Sequence, residues 1–282
     1  MLRRLIVNAD DYGRTPAINE GILQAHRLGI VTSTTAMLNM PGVGDMLPQA
    51  RQEPGLGLGV HLVFTAWRPI LPPSRIPSLV DANGHFWEAH VWQSRLDHLN
   101  LDELWAEWQA QLALFHRVAG QPDHLDCHHF IHLYPPIFET YLKLAQQEEV
   151  PARVPFPAQS RGDDEAVAFG KLFGVAPEMI GSLLAADRAL LREHPVRHPD
   201  HFCSAFYGEA NLSLENLLSL LEALPAGVSE MMVHPGLADD ALRTTSRYSW
   251  QREKELALLC HPAVRERVSA LGISLADYGV LR

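Results

Sequence analysis

Asp10 and Asp11 stand side by side after the apolar run Leu5-Ile6-Val7 and are followed at once by Tyr12-Gly13. An apolar run stopped by two acids reads as a strand that delivers both carboxylates to an open loop. Imidazoles end other runs in the same way: His61 after Leu58-Gly59-Val60, His128 after Leu125-Asp126-Cys127, and His234 after Met231-Met232-Val233. A divalent metal held by one carboxylate and two imidazoles keeps an open position for water, lowers the pKa of that water toward ~7 and polarises a carbonyl. Asp11, His61 and His128 can supply that donor set. Asp10 is then placed to take a proton from the attacking water and His234 to protonate a leaving nitrogen, a division of labour that suits amide hydrolysis.

Each residue also has a plainer use. Adjacent acids after a strand commonly form a turn and cap the next helix, and a single histidine at a strand end is commonly structural. His128, His129 and His132 cluster, but the chain has 15 histidines and some clustering follows from that number alone. The metal reading rests on the ends of separate expected strands taken together.

The elements that would position these groups alternate along the chain, as expected of a parallel sheet with crossover helices. Thr15 and Pro16 supply an N-cap and a first-turn proline for a helix through Ile18, Ile22 and Ala25 that stops at Gly29. A β-branched strand is expected over Ile30 to Met37. Leu101, Leu104, Trp105, Trp108, Leu112 and Phe115 recur at helical spacing, and their aromatic stripe belongs to the core. Pro135-Pro136 opens a helix through Tyr141, Leu142 and Ala145, which leaves His128 to Tyr134 as the loop before it. Leu214, Leu217, Leu218 and Leu221 mark another helix before the strand that ends in His234. Residues 64 to 90 and 151 to 209 lack this rhythm, are rich in proline and glycine, and are expected to be long loops on the substrate side.

Composition narrows the class. A chain of 282 residues with 47% hydrophobic content can bury a large core, and a single domain over 1–282 is expected. A formal charge of −10 without a run of Lys or Arg disfavours nucleic acid and anionic membrane and favours a neutral small substrate. Cys127, Cys203 and Cys260 are odd in number and far apart, so no disulfide framework is implied. The three strongly apolar residues after Arg3-Arg4 fall far short of a signal sequence, and no apolar stretch approaches the ~20 residues of a membrane span. A cytoplasmic protein is expected, and a homodimer is the default assembly.

Longer motifs carry a resemblance. Leu5-Ile6-Val7-Asn8-Ala9-Asp10-Asp11-Tyr12-Gly13, Gly29-Ile30-Val31-Thr32-Ser33-Thr34-Thr35, Gly59-Val60-His61-Leu62, His124-Leu125-Asp126-Cys127-His128-His129 and Ser204-Ala205-Phe206-Tyr207-Gly208-Glu209 are similar to the signatures of the YdjC-like carbohydrate deacetylases. The likeness runs from Leu5 through Val233-His234-Pro235 to Arg252-Glu253. It is nearest in pattern to the chitooligosaccharide branch, with the hopanoid-biosynthesis branch as a near relative. It implies an irregular α/β barrel similar to the polysaccharide deacetylases, removal of acetyl from an N-acetylated sugar, and one divalent cation, zinc by the preference of imidazole ligands or magnesium by association with the family. Carried over by position, Asp11, His61 and His128 would hold the metal, Asp10 would be the base, His234 the acid, and Arg153 would lie in the substrate pocket. Phe130, His132 and Tyr207 are expected to contact substrate as well.

Phe130 departs from the family pattern, which commonly has a histidine there, and His132 is an alternative ligand four residues after His128. A phosphodiesterase or an amidohydrolase acting on a non-sugar amide would use the same donor set, with Arg153 and Arg252 as the available phosphate-binding cations. A lipid-linked N-acetyl sugar is a second possible substrate, and a non-catalytic sugar-binding module is the remaining reading. Trp67, Trp87 and Trp92 offer flat apolar faces for a pyranose, and at least two of them are expected in the core.

Overall fold

Strand β1 (Arg3–Tyr12) is buried from Leu5 to its end and organises the first part of the structure. It runs parallel to β2 (Ser33–Ala36), to β6 (Gly227–Val233) and to β7 (Ile273–Leu275). Three partners on two edges require one edge to be shared. β6 covers Arg3 to Ala9, so β7 beside Arg3–Leu5 and β2 beside Asn8–Tyr12 divide the other. β5 (His201–Cys203) adds to the outer edge of β6. A strand covered on both faces needs no polar alternation, hence the continuous apolar opening of β1.

The computed structural model describes residues 2–92, 94–156 and 177–282. The chain divides into two compact units, one of Met1–Met37, Pro41–Gly59 and Pro199–Arg282, the other of Leu38–Met40 and Val60–His198. The α/β class and the parallel pairing expected from the sequence are both present.

In the first unit, helix α1 (Pro16–Leu28) starts where expected: the Thr15 hydroxyl accepts from the Ile18 amide and Pro16 fills the first turn. Helix α2 (Val43–Gln52) carries Pro48 within it. Helices α6 (Leu214–Glu222), α7 (Trp250–Leu259) and α8 (Pro262–Ala270) complete the cover. Gly21 of α1 lies so close to Gly236 that an added Cβ would sit 2.5 Å from the Gly236 Cα, and the Leu237 amide donates to the Ala17 carbonyl. The segment after His234 is thereby held against α1.

In the second unit, the end of β3 (Gly57–Leu62) pairs in parallel with β4 (Leu125–Cys127), His61 directly beside Asp126. Helix α3 (Leu101–Ala119) buries Leu104, Trp108, Leu112 and Phe115, and its buried polar residues anchor the long segment after β3. Glu107 accepts from the amides of Ile70 and Leu71, both at 2.9 Å, and Gln111 bonds both backbone groups of Val63. Helix α4 (Pro135–Glu148) packs against α5 (Pro177–Glu193).

Several expectations are corrected. β1 does not end before its acids but carries both, because a register shift between Ala9 and Tyr12 lets pairing with β2 resume at Tyr12↔Ala36. His61 likewise lies within β3. The strand expected over 30–37 is confined to Ser33–Ala36. His128–Leu133 forms short helical turns in which His129 and Phe130 have positive φ. The stretch 151–209, expected as loop, contains α5 and β5, and its residues 157–176 lie outside the described residues.

Candidate active site

The first unit gathers its ionisable residues at the ends of β1 and β6. The register Ala9↔Val233 brings the next residues, Asp10 and His234, abreast, with His234 Nε2 3.9 Å from Asp10 Oδ2. The Asn8 amide donates to Asp10 Oδ1 at 2.9 Å and fixes that carboxylate. Successive side chains on a regular strand point to opposite faces. Asp11 escapes the rule through a left-handed backbone, φ 73°, at the irregularity in β1. Its carboxylate accepts from the fully buried Arg252 guanidinium and lies 3.5 Å from Arg14.

Helix α7 supports this cluster with two residues one turn apart. Arg252 holds Asp11, and Glu255, also fully buried, accepts from the His234 amide at 2.6 Å and from the Tyr248 hydroxyl at 2.5 Å. Burial pushes the Glu255 carboxyl up to about 7, and its hydrogen-bond donors only partly offset that rise. Tyr207 and Tyr248 stack at 4.7 Å between ring centres, and Tyr207 lies 5.1 Å from the His234 ring. Burial raises both phenols above the usual tyrosine range.

The second unit builds a relay behind His61. Arg153 Nη1 pairs with Asp126 Oδ2 at 2.9 Å, and Asp126 Oδ1 lies 2.6 Å from His61 Nδ1, all three side chains buried. An ionised carboxylate only accepts, so the proton of His61 sits on Nδ1 and Nε2 presents its lone pair. That nitrogen faces His128 Nδ1 at 3.1 Å. Two imidazole nitrogens at this separation match the span of neighbouring ligands at ~2.0–2.1 Å from one cation, and a carboxylate oriented behind the imidazole is the usual companion of a metal-binding histidine.

The residues around the relay differ in role. His132 is fully buried against Tyr141, Phe138 and Phe130, and burial with the nearby Arg153 charge lowers it to about 3, so its imidazole is neutral. The Arg153 guanidinium lies 6.0 Å from the Phe130 ring. The exposed His129 ring lies 3.7 Å from that of His128 between centres, tilted by 33°, and its Nδ1 is 3.1 Å from the Thr65 hydroxyl. Trp67 lies 5.9 Å from His128 between ring centres.

Sequence reading did not anticipate Glu255, Tyr248 or the position of Asp126 behind His61, nor that Arg252 binds Asp11. Arg252 and Glu255 have the spacing of one helix face, but nothing local marks that face as the buried one. Asp126 could be found only from the pairing of β3 with β4.

Paired carboxylates near the end of β1 in the first unit, and a carboxylate-backed imidazole pair beside β3 and β4 in the second, are what the comparisons with known proteins are set against. A family model described as YdjC-like protein matches residues 4–270, and the chain belongs to that family. It is 34% identical to a carbohydrate deacetylase of Enterococcus faecalis over 98% of this chain and 97% of that one. It is also 34% identical to a chitooligosaccharide deacetylase of Yersinia enterocolitica over 99% of both. Among solved structures, a putative cellobiose-phosphate cleavage protein from Enterococcus faecalis matches with a TM-score of 0.83 and 34% identity, covering 100% of this chain and 99% of that one. The family expected from the motifs is the family found.

Proposed function

We propose that this protein is a metal-dependent N-deacetylase acting on an N-acetylated sugar, with a short chitooligosaccharide as the substrate. The observation that carries the reading is the Asp10–His234 pair, a carboxylate and an imidazole 3.9 Å apart at adjacent strand ends, next in sequence to Asp11. Relatives named carbohydrate deacetylase and chitooligosaccharide deacetylase, alike along nearly the whole chain, support it.

Asp11, His61 and His128 would hold one divalent cation, zinc or magnesium, since they offer one carboxylate oxygen and two imidazole nitrogens, all buried. Bound there, it would polarise the acetyl carbonyl and acidify water. Asp10, oriented by the side-chain amide of Asn8, serves as the base that takes a proton from the water, and a protonated His234, anchored through its backbone amide by Glu255, donates its own proton to the departing amine. Arg153 acts through Asp126 to set the orientation of His61, which its complete burial supports. Phe130 and His132 form the wall behind that relay, and the half-buried Tyr207 remains to contact substrate beside His234. Residues 1–282 would act as one catalytic domain.

A phosphate ester would require a cation free to meet it. Arg153 and Arg252 are both buried on carboxylates, which favours the neutral amide. The test is acetate release from N-acetylglucosamine, diacetylchitobiose and triacetylchitotriose by metal-stripped protein reconstituted with zinc or with magnesium. Metal-dependent release from the oligomers is the expected result; none from any of the three, with metal bound, overturns the chitooligosaccharide assignment.

A further inference from the structure

Trp67 adopts a left-handed backbone, φ 59°, which is costly for a residue with a bulky side chain. Its surroundings enforce that conformation. The Asn39 amide donates to the carbonyls on either side, Ala66 at 3.0 Å and Arg68 at 3.1 Å. The Phe86 amide donates to the Trp67 carbonyl at 2.7 Å, and Glu107 of α3 fixes the amides of Ile70 and Leu71 just beyond. A turn alone does not explain the tryptophan, since glycine would make the same turn without strain. Neither does core packing: Trp92 and Trp108 fill the core of this unit, whereas the Trp67 indole is only half-buried and is held 5.9 Å from the His128 ring, tilted 32° to it.

We infer that Trp67 is a specificity-determining residue, a stacking platform for the pyranose ring that carries the reacting N-acetyl group. The inference rests on the deacetylase reading, in which His128 would help to hold the metal that polarises the acetyl carbonyl. An indole offers the broadest flat apolar face among side chains and meets the C–H face of a pyranose with little loss of conformational freedom. Its distance from His128 is about the width of one sugar ring, so the platform serves the reacting residue rather than a distant one. The clamp by Asn39 and Phe86 sets the angle of that face before substrate arrives.

The experiment compares wild type, Trp67→Gly, Trp67→Phe and Asn39→Ala in acetate release from diacetylchitobiose and triacetylchitotriose, with melting temperature and bound metal measured for each. Trp67→Gly removes the indole and relieves the backbone, so KM for both sugars is expected to rise about tenfold. Its kcat is expected to fall much less, its melting temperature to equal or exceed wild type, and its metal content to stay the same. Trp67→Phe is expected to recover part of the loss, and Asn39→Ala to raise KM with the indole still present. An unchanged KM in folded Trp67→Gly, or a loss confined to kcat, overturns the platform while leaving deacetylation intact. Failure of the wild type on every sugar overturns the functional reading and the platform with it.

Discussion

The His234 amide donates to the Glu255 carboxylate at 2.6 Å from the helix that also sends Arg252 to Asp11. One helical turn therefore steadies both the residue assigned as acid and the carboxylate assigned to the metal. Removing the acceptor in Glu255→Ala leaves the part-buried His234 amide and Tyr248 hydroxyl without it, a loss of up to about 1–3 kcal/mol for each group left unsatisfied. The expected outcome is a fall in kcat of at least about tenfold with metal content retained, and a smaller fall in Glu255→Gln, which keeps one acceptor oxygen. Steady-state kinetics beside elemental analysis decide it: unchanged kcat in folded Glu255→Ala would remove Glu255 from the catalytic support.

Asp10 is assigned as base, and the Asn8 amide already holds one of its oxygens at 2.9 Å. Asn at this position keeps the size and an acceptor oxygen but not the basicity. Asp10→Asn is expected to bind metal normally and to lose about 10²–10⁴-fold in kcat. Near-normal turnover would transfer the base role elsewhere.

What the sequence made legible was whatever chemistry is local. Thr15 and Pro16 specify the start of α1 through bonds within a few residues, and β1 and β6 were recognisable from the short apolar runs Leu5-Ile6-Val7 and Met231-Met232-Val233, which strands buried on both faces favour. The strand-end residues Asp10, Asp11, His61, His128 and His234 were visible for the same reason. Glu255 and the pairing of Arg252 with Asp11 were not, since Arg252 meets Asp11 across 241 positions of chain and their helix has charged residues on several faces. Helix α5 was hidden by its own sequence: Ile180, Leu184 and Asp187 follow helical spacing on one buried row, and an acid on that row breaks the apolar pattern that would have revealed it.

His61 depends on Asp126, whose oxygen lies 2.6 Å from Nδ1 and favours the tautomer in which Nε2 would serve as the proposed ligand atom. Asp126→Asn preserves shape but can present an N–H to the ring, which favours the other tautomer. Losses for such supporting carboxylates run about 10–100-fold in metal affinity. A competition titration with a chelating dye is expected to show weaker binding in that range, with binding restored in part at saturating metal. Wild-type affinity would mean that His61 is not a ligand or that Asp126 does not orient it.

Asp187 on α5 has no exposed surface, and among the described residues neither of its carboxylate oxygens has a hydrogen-bond partner. Burial pushes it from 3.8 up to about 8. The folded state therefore holds this proton where the unfolded chain has released it, and stability present below about pH 4 is lost as pH rises toward 8. Asp187→Asn cannot ionise and should escape that loss. Its melting temperature is expected to match wild type near pH 4 and to exceed it by several degrees at pH 9. Glu255, raised from 4.5 to about 7, contributes with the same sign over the lower part of the range in both proteins. The gap between the two melting curves is therefore the contribution of Asp187, and it should keep widening between pH 7 and 8, after Glu255 has titrated. Parallel curves from pH 4 to 9 would mean that the carboxyl is already ionised in the fold.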